Sequence, residues 1–330
     1  MMTRVLRPMV AGAFYRLGVA TLLRLQRKNT ITLLCFHRVN EEKNWVWPGW
    51  SWKRFEQLIC ILRKKYQVCA LGPELCLGNG NKLVLTFDDG YYDFIEFVLP
   101  VLKKYRLPAV HHVTVDSVLT GLPNWTYMLN LVVDDHLKSK RRLEIEELKY
   151  SSFITPKNAE RESLRIFHGL KKLPYTSIRH ILERLMHRCV GDLYLPRMMR
   201  PNDLQECLSN GVAIGSHGYD HLVLHDQLPA DALHREIVQS KQKLEQLTGT
   251  VVESFAFVNG EFFPQAIKQC REAGYQYLLT TLYGFARCSS PAKTLPELLP
   301  RLQVPPYSIA ETLLYIEGFH QLVSRYVRAR

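Results

Sequence analysis

None of the eight cysteines forms a Cys-x-x-Cys pair, so neither a zinc ribbon nor a dithiol redox motif is indicated. No apolar stretch is long enough for a membrane-spanning helix, because Arg16 interrupts the best candidate near the start. No small-x-small cleavage site follows that stretch, which argues against a signal peptide. There is no internal repeat and no low-complexity segment, so solenoids and disordered linkers are not expected. Basic residues are not interleaved with aromatics in a surface motif. Nucleic acid is therefore not an expected partner, despite a net charge of +12. Acidic residues are missing altogether from the first 29 positions.

The rest of the composition is that of a folded globular chain. Of 330 residues, 47% are apolar and 22% charged, enough for one large or two smaller domains. Cys35, Cys60, Cys69 and Cys207 lie in apolar settings and read as buried free thiols in a reducing compartment. The positive excess is concentrated at the ends. Residues 1–29 carry Arg4, Arg7, Arg16, Arg24, Arg27 and Lys28 among Val5, Leu6, Met9, Phe14, Leu17, Leu22 and Leu25, and the far end carries Arg325, Arg328 and Arg330. The first segment reads as a basic amphipathic helix. It has two possible fates: lying on an anionic membrane surface, or docking on the protein's own core. The expected location is cytoplasmic, peripheral on the inner membrane.

Two segments carry the chemistry. Residues 83–90 read Leu-Val-Leu-Thr-Phe-Asp-Asp-Gly, and residues 214–221 read Ile-Gly-Ser-His-Gly-Tyr-Asp-His. Each is a strand-forming apolar run that stops abruptly at groups able to bind a metal. On an extended strand end Asp88 and Asp89 point to opposite sides, one toward a metal and the other toward a water beside it. His217 and His221, four apart, share one face of a helical turn or tight loop. Two imidazoles and one carboxylate on a divalent ion leave positions open for water and substrate, as hydrolysis requires.

Thr86-Phe87-Asp88-Asp89-Gly90 and Ser216-His217-Gly218-Tyr219-Asp220-His221 resemble the first two motifs of the polysaccharide deacetylases, carbohydrate esterase family 4 with the NodB-homology domain. Leu34-Cys35-Phe36-His37-Arg38-Val39 is similar to the opening strand of many members. Phe255-Ala256-Phe257-Val258-Asn259-Gly260 resembles their third motif, more loosely. The likeness spans about residues 30–122 and 206–305 in the family's order. It implies an α/β fold, a distorted (β/α) barrel of about seven strands with its site at the strands' C-terminal ends. It also implies removal of an N-acetyl group from an N-acetylated sugar of a glycan or glycolipid, such as a lipid-linked saccharide.

By matching position, Asp89, His217 and His221 would bind one divalent ion, zinc first, with cobalt, manganese or nickel as alternatives. Asp88 would be the general base. The loop at Asn259 and Gly260 would supply a backbone donor to the oxyanion, since glycine lets backbone approach a ligand. Two departures stand out. The third motif lacks the arginine that holds the base in many members, and Arg301, in Leu299-Pro300-Arg301-Leu302, is the candidate replacement. The family's C-terminal general-acid histidine has no clear match; His320 reads as structural. His37, at the end of the first strand, is a candidate pocket residue. His111 and His112 stand where the family usually has aromatics and read as packing. Asp93 is expected to cap the following helix, or else to order the metal's surroundings.

Alternating strands and helices organise the chain. Strands are expected at 31–39, 83–87, 109–115, 254–258 and 277–281, with one from 212, and helices at 52–66, 94–105, 230–247 and 264–273. Residues 1–29 form a separate helix, and 30–330 one barrel domain. Residues 123–205 break the rhythm and read as a helical insertion without a convincing strand, which either covers the substrate cleft or merely fills out the structure. The departures keep a second reading open, a catalytically weak or inactive carbohydrate-binding or scaffold protein of the same fold. The oligomeric state is not legible.

Overall fold

The computed structural model describes residues 6–41, 48–191, 193–289 and 294–321. Arg4, Arg325, Arg328 and Arg330 lie outside them. The main sheet is parallel and contains β1 (Ile31–Phe36), β2 (Gln67–Val68), β3 (Lys82–Asp89) and β4 (Ala109–Val113) from the first half of the chain. After a separate hairpin, β5 (Arg142–Ile145) and β6 (Tyr150–Phe153), the sheet continues with β7 (Val212–Ser216), β8 (Ser254–Ala256), β9 (Tyr277–Leu279), β10 (Leu298–Leu299) and β11 (Arg301–Gln303).

The spatial order is β10-β9-β8-β7-β4-β3-β1-β11, with the short β2 added beside the start of β3. Only Pro300 separates β10 from β11, and a proline interrupts the ladder there because it has no N–H to donate. The first half of this split strand pairs with β9 and the second with β1. The ladder therefore returns to where it begins, and counting the split strand once gives the expected seven-position ring.

Strand alternation sorts the side chains into two environments. Leu34 and Phe36 of β1, with Leu83, Leu85 and Phe87 of β3, face outward into the large core shared with the surrounding helices. Ile31, Leu33, Val84, Ala256 and Leu279 face inward and fill the lower barrel. Toward the C-terminal strand ends the interior turns polar: Cys35, Thr86, Asp88, His112, Ser254, Thr280 and Arg301 are all buried. A barrel that is apolar below and polar above can hold a buried reaction centre only at its upper end.

Residues 125–187 form their own cluster around Trp125, Met128, Val132, Leu143, Ile145, Ile166 and Leu182. The expected helices are present as Trp125–Ser139, Ala159–Leu170 and Tyr175–His187. The expectation of no strand is corrected by the β5–β6 hairpin. Its strands are four residues each, and in β5 only Leu143 and Ile145 alternate inward from a highly charged run, too little for a periodic signal. The helix Pro201–Ser209 belongs with the barrel, since Leu204 and Cys207 join the outer core.

Two more expectations change. Cys76 and Cys288 form a disulfide across 212 positions, with Cα atoms 5.6 Å apart, while Cys35, Cys60, Cys69 and Cys207 are free as expected. A separation that long hides the pairing in the sequence. Disulfides persist in oxidising compartments, which counts against the cytoplasmic expectation. At the start, the helices Leu6–Arg16 and Val19–Gln26 dock on the C-terminal helix Ile309–Ile316 through Ala11, Ala20 and Leu314. Arg24 and Arg27 pair there with the buried Glu317. Docking on the core is therefore one fate of this segment. Its outer face still exposes Met9, Leu17, Leu22 and Leu25. No helix among the described residues is long and apolar enough to cross a membrane.

Candidate active site

The acidic pair terminates β3, and its two members have different backbones. Asp88 continues the strand in register with His112 of β4, whereas Asp89 has φ +79° and Gly90 +86°. A left-handed aspartate is uncommon and strained, and such strain concentrates at functional sites. The turn sends Asp89 toward the histidine loop that follows β7, where its Oδ1 lies 3.1 Å from His221 Nε2 and 3.6 Å from His217 Nε2. The three ligating groups fall within 4.8 Å of one another, all buried.

The histidine loop is held by a carboxylate that the sequence reading did not single out. Glu236 accepts backbone N–H bonds from Tyr219, Asp220 and Leu222, at 3.2, 2.7 and 3.2 Å. Burial and the nearby Asp220 push its carboxyl up to about 8, against those three donors, which favour the anion. Gly218, at φ +86°, is required here: a Cβ would sit 2.2 Å from Glu236 Oε2. His217 Nδ1 donates to Ala256 O at 2.8 Å, which fixes the tautomer and leaves Nε2 facing Asp89. Trp125 Nε1 donates to His221 O at 2.8 Å and so ties the insertion to the loop.

Asp88 sits behind these three groups. Arg301 forks onto it, NH1 to Oδ1 at 2.7 Å and NH2 to Oδ2 at 2.8 Å, and also donates to Thr86 Oγ1 and Thr280 O. Cys35 Sγ donates to Oδ2 at 3.2 Å. Burial alone would raise the Asp88 carboxyl, but the Arg301 charge, with His217 and His112, holds it well below the usual carboxylate range. Burial likewise opposes ionisation of Asp89, and the His221 contact pulls that carboxyl down to about 2. Both carboxylates are ionised at neutral pH.

A cavity of about 850 Å³ opens over these groups, with His37, Asp88, Asp89, His217, His221 and Asn259 at its floor. Leu129, Asn130, Glu160, Ser163, Leu164 and Phe167 of the insertion wall it from above. The insertion thus lines the cavity. Asn259, at φ +56°, and Gly260, at +72°, form the turn after β8. The Gly260 N–H is already committed to Phe257 O at 2.9 Å, so that residue is corrected as an oxyanion donor. Its lack of a side chain serves instead the close approach of Thr281, whose Oγ1 would lie 2.0 Å from a Cβ.

The remaining sequence candidates divide. His111 packs against Phe87 and Phe94 as expected. His112 does not merely pack, since its ring reaches both Asp88 and Ser254. His320 lies against Tyr283 and Tyr315 and does not line the cavity. Asp93 makes no helix-capping bond; its Oδ2 accepts from Arg38 Nε at 2.8 Å, and Arg38 in turn donates to Tyr127 OH of the insertion at 2.9 Å. Cys35, His112, Ser254 and Glu236 were missed as site residues. The one available signal was the inward phase of alternation, which Cys35 and His112 share with Leu33 and Val110 of their own strands.

The polysaccharide deacetylase family profile matches residues 78–136 and 141–278, more than half of the chain. The chain belongs to this family and is a hydrolase of the amide, N-acetyl type. Among solved structures it is similar to the deacetylase PplD of Streptococcus pyogenes, crystallised in complex with acetate. The two are 17% identical, with a TM-score of 0.57, over 87% of this chain and 98% of that one. It is similar to BC0361, a polysaccharide deacetylase from Bacillus cereus, at 15% identity and TM-score 0.56, over 88% and 69% of the two chains. IcaB from Ammonifex degensii gives 17% identity and TM-score 0.55, over 87% and 97%. At these identities the likeness carries the fold. No curated protein matches the chain in sequence.

Proposed function

We propose that the chain is a divalent-metal-dependent N-deacetylase of an N-acetylated saccharide, with Asp89, His217 and His221 as the metal ligands and Asp88 as the base. The observation that carries this reading is the buried ligand triad at the floor of a cavity, beside an ionised carboxylate that is not itself one of the three. The donor set suits an ion on two counts. The His217 hydrogen bond to Ala256 O frees its Nε2, and His221 turns its own Nε2 to the same Asp89 oxygen, so both imidazoles converge on one point. Two His and one carboxylate fit zinc first, with cobalt, manganese and nickel as alternatives.

When bound, a divalent ion supplies Lewis acidity to a water and to the amide carbonyl. Asp88, kept ionised and aimed by Arg301, accepts the proton of the attacking water. Asn259 lines the cavity, and its backbone N–H is the proposed donor to the oxyanion. Asp88 then returns the proton to the leaving nitrogen. The products are acetate and the free amine. His37 lines the floor and contacts substrate.

The substrate is a saccharide, and a lipid-linked one is favoured by the apolar wall of Leu129, Leu164 and Phe167. The exposed apolar ridge of the N-terminal helices supports peripheral binding to an anionic membrane surface. The Cys76–Cys288 bond favours a compartment other than the cytoplasm. Against the inactive carbohydrate-binding reading stands the Arg301 fork on Asp88, the contact that the missing arginine would make.

The test is acetate release from a panel of N-acetylated oligosaccharides and lipid-linked sugars, before and after chelation and on restoring Zn, Co, Mn or Ni. Activity should vanish with the ion and return with it. Elemental analysis of Asp89→Ala, His217→Ala and His221→Ala should find the ion lost. Full turnover by the metal-free protein would overturn the reading.

A further inference from the structure

Behind Asp88 the barrel encloses a polar pair that the chemistry above does not use. His112 points inward from β4 opposite Asp88 and is wholly buried. Its Nε2 lies 3.0 Å from Ser254 Oγ on β8, and its Nδ1 lies 3.3 Å from Asp88 Oδ1. Between β4 and β8 runs β7, where a Cβ on Gly215 would stand 2.3 Å from His112 Cδ2 and 2.5 Å from Ser254 Oγ. The strand omits a side chain so that the two can meet across it. His111, the next residue, points the other way into aromatic packing, with neither ring nitrogen bonded. An aromatic ring would fill the His112 position equally well; an imidazole there carries a desolvation cost that only its polar contacts offset.

We propose that His112, braced by Ser254, is a positioning residue for the base Asp88. The inference rests on the reading of Asp88 as base. Arg301 grips the carboxylate from β11 and Cys35 from β1, both on one side of the β3 strand end. His112 approaches from β4, on the other side, and opposes rotation of the carboxylate about the Arg301 fork. With Nε2 accepting from the Ser254 hydroxyl, the ring proton stands on Nδ1, 3.3 Å from Asp88 Oδ1, a close polar contact outside hydrogen-bond geometry.

The variants are His112→Phe, His112→Gln and Ser254→Ala. His112→Phe should fold, keep its metal and leave KM unchanged, while kcat falls by about tenfold or more, the usual cost of losing such an outer contact. His112→Gln should recover part of the loss, and Ser254→Ala should show a smaller one. A second readout needs no turnover: the His112 ring 15N shifts should move on Asp88→Asn and on Ser254→Ala. The proposal is overturned by wild-type kcat per metal-loaded chain in His112→Phe, or by 15N shifts indifferent to Asp88→Asn. If the wild type deacetylates no saccharide, the proposed function fails on its own, and the ring shifts still decide the role of His112.

Discussion

Asp88 is 1% exposed and ionised, a combination that depends on Arg301, which is itself wholly buried. Removing one member of such a pair leaves an uncompensated buried charge. Arg301→Met should therefore destabilise the fold by about 3–5 kcal/mol, and adding Asp88→Asn should restore much of that. Chemical denaturation of the single and double variants measures it, and equal stability of Arg301→Met and wild type would refute it. The chemistry separates from the fold in Asp88→Asn alone, which should retain the metal and lose about 10²–10⁴-fold in kcat. Turnover near wild type would disqualify Asp88 as base. The two carboxylates and two histidines were legible because apolar strands ended on them. Arg301 was legible only as a candidate, since nothing local ties residue 301 to residue 88. His112 was misread because alternation allows either of two adjacent histidines to face inward, and Gly215 and Ser254, which decide between them, lie on other strands.

Elements were legible where a period was long and regular, as in Trp52–Lys65, whose Phe55, Leu58, Ile59 and Leu62 are all buried. The four-residue strands of the insertion were not. The N-terminal helices show a different limit: their amphipathic character was clear, but their anchor, Glu317, lies near the other end of the chain. Burial pushes the Glu317 carboxyl up, and Arg27 and Arg24 pull against it. Deleting residues 1–29 removes both cations and leaves only the Tyr66 hydrogen bond to oppose burial of the carboxyl. An acid whose folded pKa exceeds its unfolded value loses nothing below the unfolded value, near 4.3, and costs stability as pH rises through the interval between the two. The truncated protein should therefore melt at a lower temperature at pH 8 than at pH 5, by more than the full chain does, and Glu317→Gln should remove that excess. Identical pH responses of the two proteins would exclude Glu317 as the anchor.

Over the whole molecule, the barrel places its reaction centre at one end and the N-terminal helix pair toward the other. The second helix leads directly into the start of β1, and Asn81, just before β3, donates to Arg24 O at 3.1 Å. The ligands lie at the opposite strand ends. The ridge of Leu17, Leu22 and Leu25, at 78, 57 and 63% exposure, thus belongs to a segment attached near the N-terminal strand ends. Composition gave this segment six cations, but Arg24 and Arg27 are taken up by Glu317, while Arg16 and Lys28 stay exposed. Each free cation near an anionic surface contributes about 1 kcal/mol, and each leucine moved out of water about 1.5–3 kcal/mol. The apolar part outweighs the charged part, so binding should survive high salt better than the sequence alone implied. Cosedimentation with anionic vesicles should be reduced only modestly by salt and abolished by replacing Leu17, Leu22 and Leu25 together with Ser. Vesicle binding unchanged in the triple variant, or complete release by salt, would show that the ridge does not dock on lipid.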